Sequence, residues 1–442
     1  MSGWEGMSRR EFLRLGARTV AAFSGLGLVA ACARNPVTGQ SQFMLMSEQD
    51  EVQIDRQYAP RQHSNDYGPV RDQALNQYVD SVGQALARRS HRPEMPYSFE
   101  VLNATYVNAY AFPGGSIACT RGILVGLSNE AELAALLGHE AGHVNARHTA
   151  ARMSQGTITQ LLLGGAGAAV GGGALGQVVS GLGSLGASAM LASYSRDDER
   201  QADALGQEYM VRAGYNPWGE VQLMEFLVAQ QKARPSALET LFATHPMSEE
   251  RLNDARERAQ TQYAAARDLP LLEARFMDNT AALRRQAGTI RALQDGEKYM
   301  GKKNYREAAA AFDAALAKAP DDYAGLLMMA KCQAAMERWS EAGRYAAAAK
   351  QAYPGEPQAL YVEGYVALAA KRYDQAYDDF AAFDKALPGN LIMTFLRGYC
   401  REQQDRTGEA AALYRRYLEA GGQGKPAQYA YARLVQWGYI RR

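Results

Sequence analysis

Four columns of residues recur at 34-residue intervals in the last third of this chain, and that spacing restricts the fold more than any other feature of the sequence. Pro320, Pro354 and Pro388 form one column, and Tyr305, Trp339 and Tyr373 a second. Ala308, Ala342, Ala376 and Ala410 form the third, with Phe312, Ala346, Phe380 and Tyr414 in phase as the fourth. A unit of this length holds a pair of helices that cannot bury its apolar face alone, so successive copies must stack into a one-dimensional array. The alanine column lets neighbouring helices close up, and the prolines mark where each pair ends. A generic helical bundle has no reason to keep four columns in register. At least three copies, and four by the alanine and aromatic columns, are expected.

Thirty-four residues is the tetratricopeptide length. Residues 290–442 are therefore expected to be an all-α tetratricopeptide solenoid whose concave face takes a protein partner. This region holds none of the six histidines of the chain. Any histidine-based metal chemistry must lie upstream.

There, His139-Glu140-Ala141-Gly142-His143 sets two imidazoles four residues apart with a carboxylate beside the first. On a helix the two rings lie one turn apart on one face. Both can then reach one tetrahedral ion, with Glu140 beside a fourth, water-filled position. The local sequence argues for a helix, since Asn129 can serve as N-cap with Glu132 at the third helical position. Leu133, Leu136 and Leu137 then run an apolar stripe into the motif.

Two histidines can also decorate a helix without binding anything, so a third ligand matters. Ser195-Arg196-Asp197-Asp198-Glu199-Arg200-Gln201-Ala202-Asp203 supplies a candidate. Glu199 and Asp203 share a helix face, so Glu199 can coordinate while Asp203 accepts the N–H of a ligating histidine and fixes its tautomer. Ala202 between them allows two helices to approach. The alternative is a solvated charge cluster.

His139–His143 followed by Glu199–Asp203, with Asn108-Ala109-Tyr110-Ala111-Phe112-Pro113-Gly114-Gly115 before and Thr244-His245-Pro246 after, resembles the gluzincin zinc metallopeptidases of the CAAX prenyl endopeptidase and HtpX type. The resemblance covers about residues 40–260. It implies that His139, His143 and Glu199 bind one Zn2+ per chain and that Glu140 is the general base. It also implies that His245 and Arg251 face the metal. There they act as donors to a developing oxyanion, or His245 binds the metal and holds the enzyme inactive. A protein ligand in the fourth position displaces the attacking water and turns a catalytic site into a structural one. The competing reading makes His245 a loop residue ahead of a helix begun by Ser248, Glu249 and Glu250.

The chemistry such a constellation performs is metal-assisted hydrolysis without a covalent intermediate. Residues Asn108 to Thr120 read as a hairpin with a Pro-Gly-Gly turn. In the family this strand is an exposed edge to which an extended peptide adds, and an ordinary interior strand is the alternative.

The N-terminus reads as an address. Ser8-Arg9-Arg10-Glu11-Phe12-Leu13-Arg14 resembles a twin-arginine export signal, followed by an apolar run from Thr19 to Ala31 that is short for a bilayer span. Leu28-Val29-Ala30-Ala31-Cys32 looks like a lipobox, so residues 1–31 are expected to be removed and Cys32 lipidated. Ala33 and Arg34 follow with no Asp after Cys32 to retain the chain at the inner membrane. The expected location is the periplasmic side of the outer membrane. Among the remaining cysteines, Cys332 and Cys400 occupy equivalent places two repeats apart and are expected not to bridge, because stacked helices ~8–10 Å apart hold them too far from each other. A glycine-rich, uncharged stretch over 153–195 suits a lid better than a membrane contact.

A net charge of +1 gives no basic patch, so nucleic acid is not an expected partner. The expected architecture is an α+β zincin-like metallopeptidase domain, mostly helical with a small sheet, over residues 32–262. A helical linker (263–289) and the solenoid follow. Val70 to Arg89 should form a helix burying Leu75, Val79, Val82 and Leu86. The expected function is zinc-dependent endopeptidase of the bacterial envelope, acting on unfolded or loop segments of envelope proteins. The alternative is a chaperone or assembly factor that uses its repeats and keeps the metal site shut.

Overall fold

The computed structural model describes residues 32–163 and 193–440. A small hairpin, β1 (Cys32–Arg34) and β2 (Ser41–Phe43), leads into α1 (Glu48–Asn65) and α2 (Gln73–Ala87). The expected amphipathic face of α2 is in place, with Leu75, Val79, Val82 and Leu86 all buried. Gly83 is needed on that face, because a Cβ there would stand 2.2 Å from the Phe99 ring.

Three strands follow: β3 (Ser98–Leu102), β4 (Ala109–Ala111) and β5 (Ser116–Thr120). The last two form the expected hairpin, pairing antiparallel with Ala109 opposite Cys119 and Ala111 opposite Ile117. Gly115 takes a positive φ of 105° in the turn. The sequence did not reveal that β5 also pairs in parallel with β3, which makes the order β3-β5-β4 and leaves β4 at an edge.

After the short α3 (Arg121–Leu124), α4 (Glu130–Ala146) carries the two-histidine motif. Asn129 caps it as anticipated, accepting from the Glu132 amide. Every residue of α4 is buried, and the first of the two acidic residues in its opening turn, Glu130, is held by Tyr78 and Tyr215 at 2.9 and 2.8 Å and by Arg275. Around it lie α5 (His148–Leu163), α6 (Arg196–Arg212), α7 (Trp218–Ala233), α8 (Glu239–Thr244) and α9 (Glu249–Gln260). Arg275 belongs to α10 (Glu273–Arg285), in the segment expected to be a linker. Phe276 and Leu283 of α10 join the apolar core of the first domain, so this segment buttresses α4 as well as connecting two regions.

The repeats are helix pairs: α11 (Ala287–Gly301) with α12 (Tyr305–Leu316), α13 (Tyr323–Ala335) with α14 (Trp339–Ala352), α15 (Gln358–Ala369) with α16 (Tyr373–Ala386), and α17 (Leu391–Glu402) with α18 (Thr407–Glu419). A last helix, α19 (Gly424–Gln436), covers the end of the stack. The sequence columns have physical meaning here. Tyr305, Trp339 and Tyr373 each open a second helix, the prolines fall in the loops between pairs, and all four column alanines are fully buried.

The solenoid is docked on the first domain. Arg121 grips Asp322 through two hydrogen bonds of 2.6 and 2.9 Å, with both side chains buried. Ser64 donates to Glu356, Arg71 to the Ala352 carbonyl and Arg61 to the Pro388 carbonyl. Removing one member of a buried pair strands the other charge, so Arg121→Ala should destabilise the docked state by about 3–5 kcal/mol. In limited proteolysis the variant should be nicked between the domains faster than the parent, and a paired Arg121→Met/Asp322→Leu change should restore resistance.

Cys119, Cys332 and Cys400 are separate buried thiols. No helix among the described residues is long and apolar enough to cross a membrane. The expected export signal and most of the glycine-rich 153–195 stretch lie outside the described residues.

Candidate metal centre

The site begins with a close helix crossing. Gly138 and Gly142 of α4 face Gly206 and Ala202 of α6, and a Cβ on Gly206 would stand 2.7 Å from the His139 amide nitrogen. Ala202 was recognisable as a spacer from sequence, whereas the facing glycines were not. Their combined effect is that side chains of both helices meet over a short distance.

Four of them converge. His139 and His143 from α4, Glu199 from α6 and His245 at the C-cap of α8 are all buried, and one donor atom from each lies within 4.8 Å of the others. His143 Nε2 is 3.1 Å from His139 Nε2 and 3.3 Å from Glu199 Oε1. His245 Nδ1 is 3.0 Å from Glu199 Oε1 and 3.3 Å from His139 Nε2.

The hydrogen-bond network fixes what these atoms offer. His139 Nδ1 donates to Asp203 Oδ1 at 2.8 Å, which leaves the His139 Nε2 lone pair pointing inward. Burial opposes the Asp203 charge, but Arg251, bonded to both its oxygens at 2.7 Å, holds that carboxyl below its ordinary range. His143 is set by a residue the sequence reading passed over. Gln201 Oε1 accepts from His148 Nε2 at 2.9 Å, so His148 Nδ1 accepts from His143 Nδ1, also at 2.9 Å. His143 then turns a second lone pair inward, with its ring stacked on Tyr194 at 3.8 Å between centroids. The only sequence signal for His148 was its place five residues beyond His143 in a chain poor in histidine.

The Nε2 lone pairs of His139 and His143 thus face the Glu199 carboxylate with no proton donor between these three groups. That arrangement is repulsive unless a cation is shared. Ligands around a tetrahedral ion bound at ~2.0–2.1 Å sit about 3.3 Å apart, which matches the observed separations. The residues present fit a divalent metal.

Glu140 stands next to this cluster, buried, with Oε2 lacking any hydrogen-bond partner and Oε1 3.8 Å from His245 Nε2. Burial raises its pKa above the ordinary carboxylate range, opposed by the nearby His245 and His139. A second buried acid, Glu220, was not singled out by sequence; burial and then the Asp203 charge push it up to about 8. Arg251 differs from the expectation that it donates to an oxyanion. Its Nε and Nη2 are engaged with Asp203, and Nη1 donates to the Pro246 carbonyl at 2.8 Å and pairs with Glu199 Oε2 at 2.6 Å. In this arrangement it orients the carboxylates.

Asp203→Asn should weaken zinc binding about 10–100-fold, because the neutral amide neither polarises the His139 ring nor satisfies Arg251. Competition against a chromophoric chelator measures it, and an unchanged affinity would mean that Asp203 does not act on the metal.

Residues 73–259 match the family model described as Peptidase family M48, and residues 299–363 match a tetratricopeptide repeat model. The beta-barrel assembly-enhancing protease of Escherichia coli (strain K12) is 30% identical over 234 residues, spanning 51% of this chain and 47% of that protein. The metalloprotease YcaL of the same organism is 31% identical over 163 residues, spanning 37% of this chain and 62% of its own. The mitochondrial metalloendopeptidase OMA1 of Arabidopsis thaliana is 29% identical over 185 residues, spanning 41% and 35% respectively. The chain therefore spans about half the length of the assembly-enhancing protease it matches. That family implies a divalent metal, typically zinc, and the helix crossing that presents His139, His143 and Glu199 lies wholly within the matched residues. The chain carries a peptidase family M48 domain joined to tetratricopeptide repeats, homologous over about half its length to the beta-barrel assembly-enhancing protease.

Proposed function

We propose that this protein is a zinc-dependent endopeptidase, with one Zn2+ per chain held by His139, His143 and Glu199. The observation that carries the reading is the convergence of tautomer-fixed imidazole lone pairs on a buried carboxylate, with an unpartnered Glu140 oxygen alongside. When bound, zinc supplies Lewis acidity that activates a water and polarises the scissile carbonyl. Glu140 takes the proton of the attacking water and returns it to the leaving amine, a role suited to a carboxylate whose basicity burial has raised. Asp203, Arg251 and His148 hold the first set of side chains in register. Extended substrate adds to β4, where Asn108 and Phe112 make the bonds to β5 and so Ala109 and Ala111 direct their N–H and C=O groups outward.

A second reading rests on one contact. His245 Nδ1 stands among the other three groups, where a fourth ligand would exclude water, so the arrangement is that of a shut site. A chaperone or assembly factor with a self-inhibited metal is the function this contact would favour if the site never opened.

The proposed substrate class draws on similarity to the beta-barrel assembly-enhancing protease and on the N-terminal signals read from the sequence. Unfolded or loop segments of envelope proteins are the proposed substrates, and a protein segment is the proposed partner of the repeats. A lipidated Cys32 is the proposed anchor on the periplasmic face of the outer membrane. The test is casein digestion by the purified chain: hydrolysis should vanish with a chelator and return with zinc. Persistence of cleavage in chelator would sink the endopeptidase reading, and intact-mass measurement of the cell-derived protein checks for an acylated Cys32 at its start.

A further inference from the structure

A cavity of about 460 Å³ opens beside the metal centre, and its walls come from both domains. One wall is β4 and the residues flanking it, with Tyr110 and Phe112 on the same face of the strand. His245 and Tyr194 close the end nearest the metal. The opposite wall belongs to the solenoid: Phe383, on α16, and Leu387 just after it. The volume lies within the ~300–1,000 Å³ typical of ligand sites, room for a bulky side chain together with the main chain that carries it.

The chemistry of the walls selects what enters. Two phenylalanines, tyrosines and a leucine supply apolar surface, and among the described residues no carboxylate lines the cavity. Arg61, which lines it, is committed to the Pro388 carbonyl at 2.6 Å and lies over Tyr58. A charged side chain entering here would lose its water without gaining a partner. Asn108, one of the lining residues, keeps a buried Oδ1 with no hydrogen-bond partner, a neutral polar group.

Resting on the endopeptidase reading, we infer that this cavity is a substrate subsite for a bulky apolar or aromatic side chain, with Phe383 and Leu387 of the repeats as its specificity-determining residues. The solenoid then does more than dock partners. It forms one wall of the cleft, and Arg61 holding the Pro388 carbonyl sets where that wall stands.

The test uses the full-length, zinc-loaded Glu140→Gln chain and fluorescence anisotropy, with two dye-labelled unstructured peptides identical except for a central Phe or Asp. The Phe peptide should bind roughly tenfold tighter. A Phe383→Ala/Leu387→Ala variant should lower that ratio to below about threefold, and Leu387→Arg, which changes only a half-buried side chain, should shift preference toward the Asp peptide. Equal binding of both peptides by the parent, or an unchanged ratio in Leu387→Arg, overturns the assignment. Because binding is read without turnover, casein hydrolysis by the wild-type chain bears on the endopeptidase reading alone.

Discussion

Glu140→Gln should lower peptide hydrolysis about 10²–10⁴-fold while leaving bound zinc and the fold in place. Glutamine matches glutamate in shape, and neither Glu140 oxygen takes part in the converging ligand set, so the metal has no reason to leave. The substitution also removes a buried charge whose Oε2 has no hydrogen-bond partner. Thermal stability should therefore hold or rise, in contrast to the usual result of a buried polar substitution. What is lost is the group that takes a proton from the attacking water and delivers it to the amine. A variant that cleaves casein within about threefold of the parent rate would show that proton transfer is handled elsewhere. In cells, loss of every effect would favour proteolysis as the function, whereas full retention would favour the scaffold reading.

His245→Ala should act in the opposite direction, raising hydrolysis roughly tenfold or more. In the arrangement described here His245 hydrogen-bonds Glu199 at 3.0 Å, sits 3.3 Å from His139 Nε2 and packs against Tyr194. On the shut-site reading, those contacts stabilise a state in which protein fills the fourth position. Each ~1.4 kcal/mol by which they favour that state keeps all but about a tenth of the molecules inactive. Removing the ring frees the population for turnover, with zinc binding somewhat weaker. Had His245 served only as a donor to the oxyanion, its loss would instead cost about 10²–10³-fold in rate. The sign of the effect on kcat, measured on a zinc-saturated sample with a quenched fluorescent peptide, separates the two roles.

How much of this was legible in the sequence follows from the range of the forces involved. The cap at Asn129 and the amphipathic stripe of α2 are set by neighbours a few residues away, and the helix pairs of the solenoid by a strict 34-residue period, so pattern carried them. The convergence of Glu199 on His139 and His143 was anticipated from spacing and resemblance. The reason the helices can close is a Gly138–Gly206 contact that no local pattern announces. Nonlocal pairing hid the rest. The parallel β3–β5 register, the Arg121–Asp322 clamp across 201 positions and the packing of α10 beneath α4 join residues that share no periodicity. His148 and Glu220 were missed for the same reason, since their importance lies in what the fold sets beside them. Arg251 was expected to face an oxyanion and instead braces Asp203 and Glu199, which only the docked position of α9 could reveal.

The most direct test of the central claim is metal content by elemental mass spectrometry of the full-length chain purified without added metal, alongside His143→Ala and Glu199→Ala variants. Expected is about one zinc per wild-type chain and below roughly a tenth of that in each variant after mild chelator washing. Wild-type protein without a transition metal, or variants that keep the wild-type zinc content, would contradict it.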